Sequence, residues 1–577
     1  MPSGDRPALD QRLVDHVERG EWLDLAGDEP VDTQAMSTWG ADRVVSAIVL
    51  RDIVRGTATD NPDPRGLRLR GARIRGRLDL AFITSSVPVA LNDCVFEEGL
   101  NAVDARLPLL DLEGCLIAHP TEIPFIASGL NSSELSLRRA TVTSAATGAA
   151  VLIGAELGDL DCWGATITNT VGNALTADNL RVHRSALLGG GFTATAAAGD
   201  AAVTLTDAEI GEVLFLGTTL RNDDGTALGG ENLRVHRKLM LRNGFTASGT
   251  GVLGAVNLDG AELGELDCAD ADLVNPTGPA FSAADMRVRR DASFYRATLT
   301  GGGSGGVLSL VGAELGELVC NDITVRNPSG SAVYATNLRV QRDLSLDDCE
   351  LQAGDRGYAV DLDGAHVGGG LSLSGTRLVQ PDRGRRLYVD GLTYANLPAG
   401  ISTDNWLKLL REATPWYAAQ PYQHLAALRR AAGHDSEARR VLMAQRRDQL
   451  DRRALTGRTE RAWVRFTGLT LGYGYQPWRA LICLLLVIAT AVMLAVVLGG
   501  QGGLAQAAAP GSPCPVVERV GVGLDLGTPL LTTRSRCDVT TSGAGQILTM
   551  TGWALRLLAW AFATLFIAGF TSAVRRT

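Results

Sequence analysis

Two histidines stand at equivalent places in repeated phrases of the sequence, and imidazole is a common metal ligand. His183 lies in NLRVHRSALL and His236 lies in NLRVHRKLML. If each phrase belongs to one coil of a stacked structure, the two rings are two coils, or ~10 Å, apart. Both rings then cannot bind one zinc ion, because a zinc–imidazole bond is ~2.1 Å long. We therefore predict a surface ladder here and no metal site.

The cysteines and glycines suggest two further chemistries. Cys162, Cys268 and Cys320 hold the same place in like phrases, but the sequence has no CxxC of the kind that zinc, an iron–sulfur cluster or a thioredoxin-type pair uses. We expect these thiols to be reduced and buried as small apolar groups. The run from Gly301 to Gly306 fits GxGxxG, yet it lies between two expected strands and not at a strand-to-helix turn. No GxxxxGK[ST] or HExxH occurs. The residues predict no catalytic, cofactor or metal site.

These candidates lie within two alternating phrases that repeat along the chain. The first phrase begins at Gly154, Asp207, Gly260, Gly312 and Gly364, and the second begins at Asn179, Asn232, Asp285 and Asn337. Successive phrases begin 25 to 28 residues apart, and a fixed period in this range is typical of a solenoid. Apolar residues two apart face the same side of a strand. The pattern predicts a mainly β fold, a right-handed parallel β-solenoid of about twelve coils over residues 66–400.

The doubled period also predicts a ladder of alternating charges on one outer face. Neighbouring coils place acid beside base about one strand spacing apart, which stabilises a sheet by roughly 0.2–1 kcal/mol per pair. We interpret this ladder as structural. Its predicted members are Glu156, Arg181, Glu209, Arg234, Glu262, Arg287, Glu314 and Arg339.

Helical patterns flank the predicted solenoid. Residues 1–65 contain two amphipathic stretches, over 8–20 and 41–56, which we expect to cap the first coil in preference to forming an independent domain. After the solenoid, residues 401–465 form an arginine-rich segment that resembles a tetratricopeptide-like hairpin broken at Gly433. We expect this hairpin to cap the last coil. Glycine-rich inserts within the repeats, from Gly189 and from Thr300, are expected to be corner loops.

Residues 466–577 carry two uncharged apolar runs, over 480–498 and 557–574, that predict two transmembrane helices and binding to a lipid bilayer. Arginines precede the first run and Arg575-Arg576 follow the second, so we expect both termini to face the cytoplasm. The front of the chain has no apolar signal stretch, which agrees with this orientation. Residues 500–545 are then outside. We therefore predict a multi-pass membrane protein.

Cys514 and Cys537 lie alone in the predicted external loop, where the compartment is oxidising, and we predict a disulfide between them. The stretch Val516–Leu531 is apolar but contains acidic residues, so we expect it to lie at the outer interface. Arg556 is expected to snorkel from the end of the second helix, with a buried functional charge as the alternative.

Composition limits the partners. The chain has 577 residues and a formal net charge of −9, and residues 66–400 contain 40 Asp and Glu against 27 Lys and Arg. Such an acidic shaft binds nucleic acid poorly, so we predict no nucleic-acid partner. An acidic surface that mimics DNA stays open, although the charges form mixed ladders. A small channel is a further alternative, since GVGLDLG (Gly521–Gly527) lies between the two spans, but it matches a potassium filter poorly.

The whole layout resembles bacterial, chiefly actinobacterial, membrane proteins with pentapeptide-like repeats. The residues that carry this resemblance are GARIRGRLDL from Gly71, the GAELGEL phrases, PYQHLAALRRAAGHDSEARRVL from Pro421, and GYGYQPWRAL before the first span. Relatives are often labelled membrane-associated oxidoreductases, so the resemblance implies that activity as an alternative. The residues themselves favour a non-catalytic membrane-anchored scaffold without a cofactor. Its solenoid would face the cytoplasm and bind a protein partner, and the chain could form a homo-oligomer.

Overall fold

The computed structural model describes residues 8–27, 31, 35–36, 38–59, 61–381, 385–397, 401–452, 454, 457–473, 476, 478–528 and 533–575. The chain divides into two compact units, Met1–His424 and Leu425–Thr577. This division falls inside the segment 401–465 that the sequence pattern treats as one hairpin. The first unit is a parallel β-solenoid of about 13 coils, which confirms the predicted mainly β solenoid fold.

Three parallel sheets, here called A, B and C, run along the solenoid, and a typical coil adds to each of them in turn. In the described part of the chain, the strands of sheet A are Leu23–Asp24, Leu67–Arg70, Val89–Asn92, Arg106–Leu107, Leu110–Asp111, Asn131–Ser136, Glu156–Asp161, Arg181–Leu187, Glu209–Leu216, Arg234–Val235, Leu239–Arg242, Glu262–Leu263, Leu266–Asp267, Arg287–Ser293, Glu314–Val319, Arg339–Val340, Leu344–Ser345, His366–Val367, Leu371–Ser372 and Thr393–Tyr394.

Sheets B and C complete the coils. The described strands of sheet B are Val44–Ser46, Arg73–Arg75, Val95–Phe96, Leu116–Ala118, Thr141–Ser144, Thr166–Asn169, Thr193–Ala196, Thr219–Asn222, Thr246–Ser248, Asp272–Asn275, Thr298–Gly301, Thr324–Arg326, Glu350–Gln352 and Arg377–Val379. Those of sheet C are Leu78–Asp79, Leu100–Asn101, Phe125–Ile126, Gly148–Val151, Asn173–Thr176, Ala201–Thr204, Thr226–Gly229, Val256–Asn257, Phe281–Ser282, Gly306–Ser309, Ser331–Tyr334, Val360–Asp361 and Leu387–Tyr388.

The solenoid begins before residue 66. The strand Leu23–Asp24 pairs with the second half of Leu67–Arg70 in sheet A, and Val44–Ser46 pairs with Arg73–Arg75 in sheet B. The predicted helix over 41–56 is therefore wrong in its first half. A 3-10 turn and this strand precede the helix Ala47–Val54. The β-branched pair at the start of Val44–Ser46 satisfies an open sheet edge, and this tertiary pairing overrides the helical pattern.

Helices also lie in the N-terminal segment. We label Ala8–Arg19 α1 and Ala47–Val54 α2. The Ser46 side chain accepts a hydrogen bond from the Ile48 amide and so caps the start of α2. Together with the two added strands, these helices form the front of the first unit.

One backbone conformation recurs in every phrase of the repeat. The residue two places before each ladder position has a positive φ, which is 55° at Asn232 and 71° at Gly260. Only glycine, asparagine and aspartate adopt this conformation at low cost. The Asn232 Oδ1 atom also occupies the place that a Cβ on Gly260 would need. The same contact recurs at Asp285 and Gly312, whereas Asn179, Asp207 and Asn232 follow one another in successive coils without a glycine.

A buried asparagine stack was not foreseen. Its members are at most 2 % exposed and recur about 53 residues apart, at Asn169, Asn222, Asn275 and Asn327. Each amide donates to a main-chain carbonyl, and each Oδ1 accepts from the amide two residues on. These bonds satisfy polar groups inside the solenoid corner. The signal in the sequence is asparagine at a fixed period before a turn.

The loops at the solenoid corners are shorter than the glycine-rich stretches of the sequence. The insert from Gly189 contains the strand Thr193–Ala196, and the insert from Thr300 begins inside the strand Thr298–Gly301. Both expected corner loops are therefore wrong in part. Because neighbouring coils supply hydrogen-bond partners, alanine, threonine and glycine suffice to form these strands.

The last coil of the first unit meets two helices, α3 (Thr403–Glu412) and α4 (Gln420–Ala431), the second of which crosses the division between the units. Trp406 of α3 is 2 % exposed, and its ring contacts Tyr394 of the last described strand of sheet A. The Tyr394 amide also donates to His424. These contacts bury the end of the solenoid core.

The second unit is helical. Its described helices are α5 (Asp435–Asp451), α6 (Arg458–Leu471), α7 (Trp478–Leu498), α8 (Val516–Gly527) and α9 (Gly543–Arg575), with a small antiparallel sheet of Leu504–Gln506, Ala509–Pro513 and Cys537–Val539. The predicted break at Gly433 separates α4 from α5, and Gly433 has a φ of 79°.

Two helices of this unit are long and apolar enough to cross a membrane, over Trp478–Gly503 and Gly543–Ala568. The second is much longer than the predicted run 557–574, because α9 begins at Gly543. Arg556 therefore lies well inside α9 and not at an end of the helix, where we expected it. Arg576 and the end of the predicted interfacial stretch, residues 529–531, lie outside the described residues.

Candidate functional site

Sheet A places the predicted charge ladder in register. Its strands pair Glu156 with Arg181, and the alternation of acid and base then continues coil by coil to Arg339. His366 and Thr393 follow Arg339 in the same column. Because these side chains point outward, the ladder is an exposed surface that crosses most of the solenoid.

Ion pairs form in the later coils of the ladder. Arg287 lies 3.7 Å from Glu262 and 3.7 Å from Glu314, so it bridges two coils. Arg339 lies 3.4 Å from Glu314. The four side chains are 45–71 % exposed, so each pair contributes only a fraction of a kcal/mol, on the order of 0.2–1.

The earlier coils use histidine instead. His183 Nε2 lies 3.3 Å from Glu156, and His236 Nε2 lies 2.9 Å from Glu209. Each histidine therefore contacts its own glutamate one coil before it. Gly211 stands between the two histidines in the column, and backbone atoms fill the space its Cβ would need. The described residues contain no group of three or more His, Cys, Asp or Glu side chains placed to bind a metal.

Replacing Glu262 by arginine tests the ladder. Glu262 lies between Arg234 and Arg287 in the register, so Glu262→Arg removes one ion pair and places like charges on both sides. We expect a loss of about 0.5–2 kcal/mol of stability that shrinks at high salt. Denaturant unfolding followed by circular dichroism measures it. Glu262→Gln is the control and should cost less. An increase in stability for Glu262→Arg would contradict the ladder.

The cysteines of the first unit are buried. Cys162, Cys268 and Cys320 hold one inward position of sheet A coils and are fully buried. Burial raises the pKa of all three thiols, because a thiolate there would lose its water. These cysteines are therefore protonated and unreactive at neutral pH. The GxGxxG text from Gly301 to Gly306 joins a strand of sheet B to a strand of sheet C, so it lacks the helix that a dinucleotide site uses.

The structure brings together a surface cluster that the sequence pattern did not indicate. Three aromatic rings and three carboxylates lie side by side on the last coils and the adjoining loop. We call this the aromatic–acidic patch, and its members are Tyr358, Tyr388, Trp416, Asp361, Asp363 and Asp390. The rings of Tyr358 and Tyr388 stack with centroids 5.2 Å apart, and Tyr388 meets Trp416 edge-on at 5.3 Å. Trp416 is 49 % exposed.

The electrostatics of the patch follow from burial and repulsion between its carboxylates. Burial, and then the neighbouring charge of Asp390, raises the pKa of Asp363. Burial, and then the Asp363 charge, raises the pKa of Tyr388. Three carboxylates beside partly exposed aromatic rings favour binding of a cationic group, although the charge of Arg385 also reaches Tyr358. The only trace of this patch in the sequence is the spacing of its aromatic residues: Tyr358 and Tyr388 are 30 residues apart, and Tyr388 and Trp416 are 28 residues apart.

Asp361 is the most perturbed carboxyl of this patch. It is 5 % exposed, and loss of water raises its pKa to about 6, although the Asp363 amide donates to it and opposes this effect. Asn257 holds the same column of sheet C and accepts the same hydrogen bond from the amide two residues on. An asparagine therefore fits the position of Asp361.

Asp361→Asn should stabilise the protein at pH 7 by about 1–3 kcal/mol. Because the folded pKa lies above the unfolded one, the native carboxyl binds protons more tightly, and wild-type stability falls as the pH rises from about 4 to about 6. The advantage of the variant should therefore vanish below about pH 4. Thermal melts of both proteins between pH 4 and 8 measure it. An equal advantage at every pH would refute the buried-carboxylate explanation.

Cys514 and Cys537 form a disulfide in the second unit, with their Cα atoms 6.2 Å apart. Both residues are buried, and they pack in one cluster with Ala495, Leu504 and Val522. The disulfide therefore belongs to the helical core at the end of α7 and does not stand free in a loop.

Helix α8 runs back along α7. Arg519 near its start lies beside Gly499, whereas Gly523 meets Val492 and Gly527 meets Ile488. These contacts place α8 antiparallel to the second half of α7, with its last residue beside the middle of α7. Glycines four apart let the two helix backbones approach closely, and the expected position of this stretch at the outer interface stays a prediction.

The site residues thus fall into three groups: the ladder of sheet A, the aromatic–acidic patch and the core of the second unit. The resemblance to pentapeptide-repeat membrane proteins stays a prediction from sequence motifs. Comparison of the chain with family models, with curated proteins and with solved structures found no match.

Proposed function

We propose that this protein is a membrane-anchored, non-catalytic scaffold whose solenoid binds a protein partner. The observation that supports this most directly is the aromatic–acidic patch. Tyrosine and tryptophan dominate the binding energy of many protein interfaces, and the neighbouring carboxylates favour a cationic segment of the partner. The apolar helices α7 and α9 would hold this surface at a bilayer.

A photo-crosslinking amino acid at Trp416 of the full-length protein tests the proposal in native membranes. We expect a discrete adduct from this position and none from Val252, which is 82 % exposed on a distant corner. The adduct should disappear when Asp363 and Asp390 are changed to asparagine, because the patch then loses its charge. An adduct that persists in that variant, or equal adducts from both positions, would contradict this role of the patch.

The orientation of the anchor is part of the proposal, with both termini in the cytoplasm. Cysteines introduced at Ala508 and Ala454 probe it in a Cys483→Ser background, and Cys514 and Cys537 stay bonded to each other. A membrane-impermeant maleimide should label Ala508→Cys in intact cells and Ala454→Cys only after lysis. The reverse pattern would overturn the orientation.

Two alternatives stay open to experiment. The oxidoreductase that the family resemblance implies would show flavin or nicotinamide absorbance in the purified protein. A small channel gains support from α8, a helix that runs from the end of α7 to its middle between two candidate spans. Ion flux from liposomes containing the protein tests that alternative.

A further inference from the structure

Two opposite charges lie within the apolar helices of the second unit. Asp525 of α8 is half-buried, and its carboxylate accepts hydrogen bonds from the amide and hydroxyl of Thr533. Arg556 of α9 is exposed between Trp553 and Leu557, which are themselves 67 % and 73 % exposed. Within the described residues, neither Asp525 nor Arg556 has an ion-pair partner in its own chain.

The two charges reach a similar level along the bundle. Leu526, the neighbour of Asp525, packs against Gly552 of α9. Arg556 begins one helical turn, about 6 Å, further along α9. Helix side chains lean toward the N-terminus of their helix, so the long Arg556 side chain returns toward the level of Asp525. That level lies about 12–20 Å from the start of α9 at Gly543, which is deep within its apolar window.

Contact of Asp525 and Arg556 with lipid tails is energetically unfavourable. An arginine near the centre of a bilayer costs roughly 3 kcal/mol or more, and such residues pair with another group or face a water-filled cavity. Residues 533–536 run back beside α8, where Thr533 bonds Asp525 and the Arg536 amide bonds Glu518. This non-helical backbone at membrane depth is tolerated only against protein or water.

We infer that the second unit binds a second copy of this chain, and that Arg556 of one copy pairs with Asp525 of its neighbour. This inference rests on the proposed membrane placement. In a cyclic assembly about the membrane normal, every residue keeps its depth, so the acid of one copy meets the base of the next at the same level. Each copy brings one of each charge, which neutralises both in every contact.

Crosslinking between differently tagged full-length copies tests the pairing directly. One copy carries Asp525→Cys and the other Arg556→Cys, both in a Cys483→Ser background. We expect a mixed dimer when membranes holding both copies are oxidised, at least ten-fold more abundant than from either copy alone. Resistance of the protein to alkaline carbonate extraction is measured first, because its release would refute the membrane placement separately from the pairing.

A charge swap between Arg556 and Asp525 is the second test of the pairing. Arg556→Glu should lower the oligomer fraction in native mass spectrometry at least ten-fold, and adding Asp525→Arg should restore it. The control Arg536→Glu changes an exposed arginine of the return segment and should leave the oligomer intact. A membrane-embedded monomer, an oligomer that Arg556→Glu leaves unchanged, or failure of the mixed pair to crosslink would each overturn the inference.

Discussion

Replacing Phe281 by alanine should destabilise the first unit by about 3–5 kcal/mol, the usual cost of removing a buried aromatic ring. Phe281 is fully buried in sheet C between Val256 and Leu308 of the neighbouring coils. Its ring meets Phe294 edge-on at 5.0 Å, so the variant loses this contact and leaves a cavity. Thermal unfolding of the full-length protein, followed by circular dichroism of the β-sheet, measures the change.

Two variants make this result specific. Phe281→Leu keeps most of the volume and should cost about 1 kcal/mol, whereas Val252→Ala, on an exposed corner, should change stability by less than about 0.5 kcal/mol. Because coils contact only their neighbours, hydrogen exchange should speed up most in the coils that flank Phe281. A loss spread evenly over all coils would contradict this local packing.

The coil period could be predicted from sequence because each coil repeats one set of constraints. Every phrase needs a positive φ two places before its ladder residue, and asparagine, aspartate and glycine meet that need at low cost, as at Asn232 and Gly260. The pleat then fixes which residues face outward. The register of Glu262 between two arginines follows from these local rules alone.

Features that depend on contacts outside the repeat could not be predicted. Val44–Ser46 has a helical pattern, but the open edge of sheet B draws it into a strand. Tyr388 and Trp416 are ordinary residues in sequence, and only the turn after α3 brings their rings together. Helix α8 contains acidic residues that argue against burial, yet Gly523 and Gly527 let it pack on α7. In each of these three examples, a contact with a residue distant in sequence determines the structure, and such contacts produce no periodic pattern in the sequence.

Removing the Cys514–Cys537 disulfide should destabilise the second unit by roughly 3–4 kcal/mol, since the bond closes a loop of 23 residues. In a unit of the length of Leu425–Thr577, such a loss of stability lowers the melting temperature by about 5–15 °C. The Cys514→Ala/Cys537→Ala variant should therefore expose Cys483, a partly buried free thiol of α7, at lower temperature. Alkylation of Cys483 during a thermal ramp of the full-length protein measures this locally.

Reduction of the wild-type protein should reproduce the shift, because it breaks the same bond without changing the packing of Val522 and Leu548 around the two cysteines. The matched control Cys115→Ala removes a buried, free cysteine of the first unit and should leave the exposure temperature of Cys483 unchanged. Mass spectrometry of non-reduced peptides from native membranes should recover Cys514 and Cys537 in one linked pair. If both thiols were instead alkylated there without reductant, the bond would be absent, and with it the strongest indication that this end of the helices faces an oxidising compartment.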